Sequence, residues 1–232
     1  MAQTAFRVGF VLFPDLTQLD LTGPYEVMTR MPGAAVDLIW KSTGPVRSEK
    51  GLTIEATTTF DTCGHLDMLC VPGGPGVGPL MEDEETLAFL RRAAASVRYL
   101  TSVCTGALVL GAAGLLTGKR ATTHWMSHDL LSQFGAIPVT ERVVVDGAVI
   151  TGGGVTAGID FALRIVAEVA GEAVAREVQL AIEYDPLPPF DSGSPRVADE
   201  TLVARMRERS SARQRSRADI ARRAAARLAE TR

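Results

Sequence analysis

Val97-Arg98-Tyr99-Leu100-Thr101-Ser102-Val103-Cys104-Thr105-Gly106 is the stretch on which the fold turns. Val97 to Val103 has the β-branched and aromatic content of a buried strand, Cys104-Thr105-Gly106 is a sharp turn, and Ala107 to Leu116 reads as a helix whose small residues can pack close to a sheet. Strand, turn and helix in immediate succession are half of a βαβ unit. The residue at the turn is then lifted to the mouth of the sheet, with the first N–H groups and the positive end of the helix facing it.

The same alternation extends in both directions. Upstream, Phe6 to Phe13 is a mostly apolar run ending at Pro14, as expected of a strand covered on both faces. Leu19-Asp20-Leu21-Thr22-Gly23-Pro24 follows, with Thr22 read as a cap and Pro24 as the first turn of a helix to Arg30. Val36 to Trp40 is a second strand, and Val46 to Thr58, centred on Gly51, a hairpin-like excursion. Asp67 to Val71 is a strand running into Pro72-Gly73-Gly74, and Glu82 to Ala95 a helix with acids in its first turn. Downstream come a helix near Trp125 to Phe134, short strands near Ile137 to Val139, Val143 to Val145 and Ala148 to Thr151, and helices over Thr156 to Ala170 and Glu172 to Tyr184. This order implies a flavodoxin-like, doubly wound and mostly parallel α/β sheet with helices on both faces and a C-terminal helical extension.

At 232 residues, 46% of them hydrophobic, the chain is long enough for one such domain with a full core. The expected organisation is a domain over 1–184, a proline-rich linker over 185–198 and a basic helix over 199–232. From Arg196 onward eleven arginines oppose five acids, a net +6, which leaves −9 on the body of a chain whose formal charge is −3. Leu202, Met206, Ile220, Ala224 and Leu228 form a sparse apolar stripe along that tail, so docking on an acidic body, its own or a second subunit's, is expected rather than nucleic-acid binding. No run reaches the roughly 18 to 20 apolar residues of a membrane span, and Met1 to Arg7 lacks a signal-peptide core, which points to the cytoplasm. Cys63, Cys70 and Cys104 make neither an even disulfide framework nor a Cys-x-x-Cys pair, consistent with a reducing compartment.

Each candidate site residue has two readings. Cys104 is either a small buried hydrophobe or a nucleophile whose thiolate the helix N-terminus favours. Cys70, inside a strand, and Cys63, in a loop, read as structural. Gly73 and Gly74 are a tight turn whose N–H groups are also candidate oxyanion donors, and Gly106, which lets the elbow close, is counted with them as an oxyanion or substrate-binding position. Asp20 is either a helix-capping group or a partly desolvated acid and base. His124 is either structural or the second half of a Cys-His dyad. His128 follows it at i+4, but with no third ligand a metal site is not expected, and His65 has no context. In open α/β sheets ligands bind beyond the carboxyl ends of the strands, where Asp20, Gly73-Gly74 and Cys104 converge.

Taken together, Leu19 to Pro24, Val71-Pro72-Gly73-Gly74, Ser102-Val103-Cys104-Thr105-Gly106, Ala121-Thr122-Thr123-His124-Trp125 and Thr151-Gly152-Gly153-Gly154 resemble the ThiJ/PfpI group of the class I glutamine amidotransferase-like superfamily, over nearly the whole chain. Asp20, where many relatives carry glutamate, and Thr105 after the cysteine are similar to the branch that hydrates isocyanides to N-substituted formamides. The resemblance implies Cys104 as nucleophile, Asp20 as acid and base, Thr105 as an essential neighbour, a small-molecule isocyanide substrate and a homodimer. It implies no metal or organic cofactor, since hydration is redox-neutral and sulfur supplies the covalent step. His-x-Glu, which glutamine hydrolysis needs, does not follow Cys104, and the 37 residues after Pro195 are expected to be too few for the paired helix-turn-helix units of regulators sharing the Ser-Val-Cys-Thr-Gly motif. A cofactor-free glyoxalase or deglycase, and a cysteine sensor of oxidants or ligands, are the competing readings.

Overall fold

The computed structural model describes residues 5–230; residues 1–4 of the first segment and residues 231–232 of the basic tail lie outside it. Apolar runs at regular intervals produce β1 (Phe6–Val11), α1 (Gln18–Met28), β2 (Ala34–Trp40), β3 (Gly44–Arg47), β4 (Thr53–Ala56), β5 (Thr58–Thr59) and β6 (Met68–Val71). They continue as α2 (Val77–Leu80), α3 (Glu84–Ala94), β7 (Tyr99–Val103), α4 (Gly106–Ala112), β8 (Arg120–Ala121) and a 3-10 segment over Trp125–Phe134. The last elements are β9 (Ile137–Pro138), β10 (Val143–Asp146), β11 (Val149–Gly152), α5 (Ala157–Ala170), α6 (Glu172–Ala181) and α7 (Glu200–Glu230).

The central sheet has seven strands in the order β10-β11-β7-β6-β1-β2-β5. All pair in parallel except β10, which is antiparallel to β11. β3 and β4 form the hairpin expected around Gly51, outside the main sheet. Every residue of β6, of β7 and of α4 is buried, which is why these segments read as continuous apolar or small-residue runs without alternation. α1 packs on α5, and α5 on α6, on one face; α4 covers β6 and β7 on the other, with α2, α3, the 3-10 segment and α7 beyond it. Phe10, Phe13, Leu12, Met68, Leu69 and Phe161 fill the layers between, each large apolar side chain contributing roughly 1.5–3 kcal/mol.

Three local expectations are corrected. α1 begins at Gln18, not Pro24: Thr17 takes the extended N-cap position, and Thr22 sits inside the helix with its hydroxyl donating to Gln18. Pro24 therefore leaves the Asp20 carbonyl without its helical donor, and lies close against α5, where a β-carbon on Gly158 would meet Pro24 Cδ at 2.9 Å. α4 stops at Ala112 rather than Leu116, because Gly114 turns left-handed at φ 81°. The Trp125–Phe134 helix is 3-10, closed by left-handed Gly135.

The tail folds back on its own chain. Arg223 donates to both carboxylate oxygens of Glu82, at 2.9 and 3.0 Å, and Arg227 joins at 3.3 Å. Ile220 lies against Gly78 and Leu228 against Gly114, but Met206 keeps 38% of its surface exposed, and the buried residues of α7 are Ser210, Arg217, Ala221 and Ala224. The apolar stripe thus accounts for part of the docking only, since a polar strip of the helix is buried as well. No described helix is long and apolar enough to cross a membrane.

Candidate active site

β1, β6 and β7 are adjacent in the sheet and end at the same edge. Because the chain leaves β1 toward β2 on one side and returns as β6 on the other, a crevice opens there. α1 delivers Asp20, the turn after β6 delivers Gly73 and Gly74, and the turn after β7 delivers Cys104 and Thr105. The structure thus brings together the residues singled out in the sequence.

Cys104 has φ 54°, a left-handed conformation uncommon for a side-chain-bearing residue. Its surroundings hold it there: the Cys104 N–H is shared between the carbonyls of Gly152 (3.0 Å) and Gly153 (2.8 Å), and its carbonyl accepts from the Thr123 hydroxyl at 2.7 Å. Gly106 has no space for a side chain, since a β-carbon would sit 2.0 Å from the Val71 carbonyl oxygen. The elbow can form only with glycine at that position.

Asp20 is fully buried. Its Oδ2 accepts the Gly73 N–H at 3.0 Å, while Oδ1 has no hydrogen-bond partner among the described residues. Burial, opposed by hydrogen bonds from Cys104 and Gly73, pushes the carboxyl up to about 7. Burial also pushes the Cys104 thiol well up, with the Asp20 charge adding to the rise; the Thr105 N–H and Arg217 pull the other way. Acid and thiol therefore face one another as a coupled pair. It holds two protons below about pH 7, and one above it.

Gly73 and Gly74 are read in sequence as oxyanion donors, and both N–H groups are already engaged: Gly73 with Asp20, Gly74 with the Thr105 hydroxyl at 3.0 Å. In this arrangement the turn orients the acid and the threonine. His124 caps the 3-10 segment, its Nδ1 accepting the Met126 N–H at 3.4 Å. Burial, with Arg217 and Arg213 nearby, lowers it to about 4, so it is neutral near pH 7 and a poor proton acceptor for Cys104. Cys70 is wholly buried within β6 and raised to about 12, and Cys63 is raised by burial, as suits structural thiols. Among the described residues no cluster of three or more histidine, cysteine or acidic side chains could hold a metal.

A cavity of about 170 Å³ opens on the sulfur, lined by Cys104, Thr105, His124, Glu49, Arg213 and Arg217 among others. A larger one of about 500 Å³ shares His124 and Val155 with it. Glu49, which accepts from the Thr17 hydroxyl at 2.7 Å, and the α7 residues were not legible as site residues. Glu49 stands in a hairpin turn with ordinary turn composition, and Arg217 is one of eleven tail arginines; only its burial, 8% exposed, sets it apart.

A doubly wound α/β protein with a strained cysteine elbow and a buried carboxyl beside the sulfur is the class defined by this geometry. Residues 6–168 match the DJ-1/PfpI family, and the chain belongs to it. It is 58% identical over 224 residues, 97% of this chain and 98% of the relative, to an isonitrile hydratase of Pseudomonas putida. A solved ThiJ/PfpI family protein from Pseudomonas syringae superposes with a TM-score of 0.92 at 42% identity, covering 94% of this chain and 91% of that one. A glutathione-independent glyoxalase of Caenorhabditis elegans is 28% identical over 171 residues, 72% of this chain and 91% of the relative.

Proposed function

We propose that this chain adds water to isocyanides, R–NC, to give N-substituted formamides. The observation that carries the reading is the near-full-length likeness to the Pseudomonas putida isonitrile hydratase, in a chain where an aspartate rather than a glutamate faces the elbow cysteine.

The site supplies each step. The Cys104 thiolate attacks the terminal isocyanide carbon, and protonated Asp20 gives that carbon its proton, leaving a neutral thioimidate, R–N=CH–S–Cys104, and an ionised Asp20. Ionised Asp20 then takes a proton from water as the hydroxyl adds to the same carbon. The addition leaves negative charge on nitrogen, a proton passes from oxygen to nitrogen, and the C–S bond breaks. Formamide and thiolate are released with Asp20 protonated again, as at the start. A carboxyl at about 7 is matched to both roles near neutral pH. Thr105 holds the Gly74 turn and its N–H supports the sulfur anion.

The reading includes a cytoplasmic homodimer built from a domain over 1–184, a linker over 185–198 and the tail helix. The exposed apolar residues Leu180, Leu187 and Phe190 offer surface for a second copy. The deciding assay is formamide production from an alkyl and an aromatic isocyanide, followed by mass spectrometry, with methylglyoxal as competing substrate. Turnover of methylglyoxal but of neither isocyanide would replace hydration by the glyoxalase reading; turnover of neither by protein with a free Cys104 thiol would favour the sensor.

A further inference from the structure

Arg217 is a buried guanidinium with no ion pair to a carboxylate among the described residues. Its Nη1 donates to the Ser127 hydroxyl at 3.1 Å and its Nη2 to the Gly74 carbonyl at 3.4 Å. Ser127 in turn donates to the Gln214 side chain at 3.1 Å, so the guanidinium is clamped from α7, from the 3-10 segment and from the glycine turn. These partners are neutral. An arginine is always charged, and a charge taken out of water in this way is normally balanced by an opposite one. The ionisable groups around it are Cys104 and His124 at the site, Glu49 across the cavity, Arg213 one helical turn away on α7, and Asp20 behind the sulfur. Glu49 keeps its negative charge across the cavity, hydrogen-bonded to the Thr17 hydroxyl and with Lys50 3.7 Å from its other oxygen, His124 is neutral, and Arg213 repels it. Besides that carboxylate, the cavity's source of negative charge is the singly protonated Cys104–Asp20 pair, and it is the sulfur of that pair whose charge acts on the guanidinium.

We infer that Arg217 is the counter-ion of the Cys104 thiolate, a positioning residue on α7 that shifts the pair's one proton away from the sulfur and toward the carboxyl. The proton has two addresses, the sulfur, leaving a carboxylate, or the carboxyl, leaving a thiolate. Both forms hold one proton and one negative charge, and only the second can attack an electrophile and protonate the product carbon. A fixed positive charge on the cavity side of the sulfur favours the second. Arg217 and Gln214 lie outside the span matched by the DJ-1/PfpI family, which ends at residue 168, while the groups they meet lie inside it. The alignment with the Pseudomonas putida hydratase, covering 97% of the chain, extends into α7. The inference rests on Cys104 being the nucleophile of the hydration proposed above.

The test reads the thiolate without any isocyanide, so failure of the charge assignment and failure of the hydratase reading are distinguishable. Alkylation of Cys104 by iodoacetamide is followed peptide by peptide across pH, in the wild type and in Arg217→Gln, Arg217→Met and Arg217→Lys. Gln keeps a donor without the charge; Lys keeps the charge without the fork. Loss of the counter-ion is expected to slow alkylation near pH 8 by about tenfold or more, the effect of one unit in the sulfur's proton affinity. The deficit should close at high pH. Arg217→Lys is expected to stay within about threefold of the wild type, on the same scale. Alkylation profiles of Arg217→Gln that superpose on the wild type would overturn the assignment. So would Arg217→Lys falling as far as Arg217→Gln, which would show that only hydrogen bonding and packing matter. If Arg217→Met does not fold, the Gln and Lys variants carry the comparison.

Discussion

Asp20→Asn should make the protein more stable as the pH rises, relative to the wild type, while destroying its activity. The sign follows from linkage. Burial holds the Asp20 carboxyl at about 7, against 3.8 for an ordinary aspartate. A raised acid contributes stability that is fully present below the unfolded value and is lost as pH rises through the folded one. Between pH 5 and pH 7 the unfolded chain has released this proton and the folded chain has not. Each unit of that interval costs the wild type about 1.4 kcal/mol, so the loss is about 2.7 kcal/mol over two units. Above 7 both states have released it, and the loss levels off. Asparagine has nothing to titrate, and contributions from all other groups largely cancel in the difference. Its amide can still accept the Gly73 N–H, but places N–H groups where Oδ1 has no partner, a pH-independent cost of about 1–3 kcal/mol. The absolute difference at one pH is therefore uninformative, and its change with pH is what decides. Thermal melts of both proteins near pH 5 and pH 8.5 should show the gap in Tm move in favour of the variant by roughly 5 to 10 °C. A gap that stays constant between the two conditions would refute the claim that Asp20 carries a proton to neutral pH, and with it the role of that acid in the proposed chemistry.

Cys104→Ala and Cys104→Ser should abolish formamide production, whereas Cys63→Ala and Cys70→Ala should retain it; isocyanide consumption in the four variants is the measurement. The kcat/KM of hydration should rise with pH through about 7, as the site passes from two protons to one, and the rise should be absent in Asp20→Asn. His124→Asn, at a position neutral near pH 7, should keep that rise and lose far less activity than Asp20→Asn. Gly106→Ala should fail to form the elbow, because its β-carbon would overlap the Val71 carbonyl at 2.0 Å, and should appear as a loss of soluble, cooperatively melting protein. Deleting residues 196–232 should lower Tm and expose Cys104 to alkylating reagents, since α7 supplies Arg213, Gln214 and Arg217 to the cavity wall; unchanged melting and reactivity would show the tail dispensable.

Much of this architecture is legible in the sequence, because buried parallel strands and small-residue helices leave apolar runs that need no partner to be recognised. β6, β7 and α4 are of this kind, and so is the glycine that ends the elbow. Elements whose form depends on contacts far away in the chain were less readable. Pro24 signals a helix start by local rules, yet sits mid-helix because α1 must extend to Gln18 to place Asp20 under Gly73. The stripe on the tail signals docking by hydrophobicity, whereas burial of Arg217 depends on Ser127 and Gly74, 90 and 143 positions away. The conflict between a thiolate-favouring elbow and a thiol raised by burial was also hidden, since burial depends on the helix that closes the cavity.

The backbone of Cys104 is pinned at both its N–H and its carbonyl by residues from two other segments, Gly152 at the end of β11 with Gly153 after it on one side and Thr123 on the other. What remains free is rotation about one bond, Cα–Cβ. The search a flexible thiol would make for its attack angle has been removed when the chain folds, and with it the entropy that search would cost in every turnover. Thr123 and Gly153, neither of which offers chemistry of its own, thereby act on the rate through the number of orientations the sulfur can adopt.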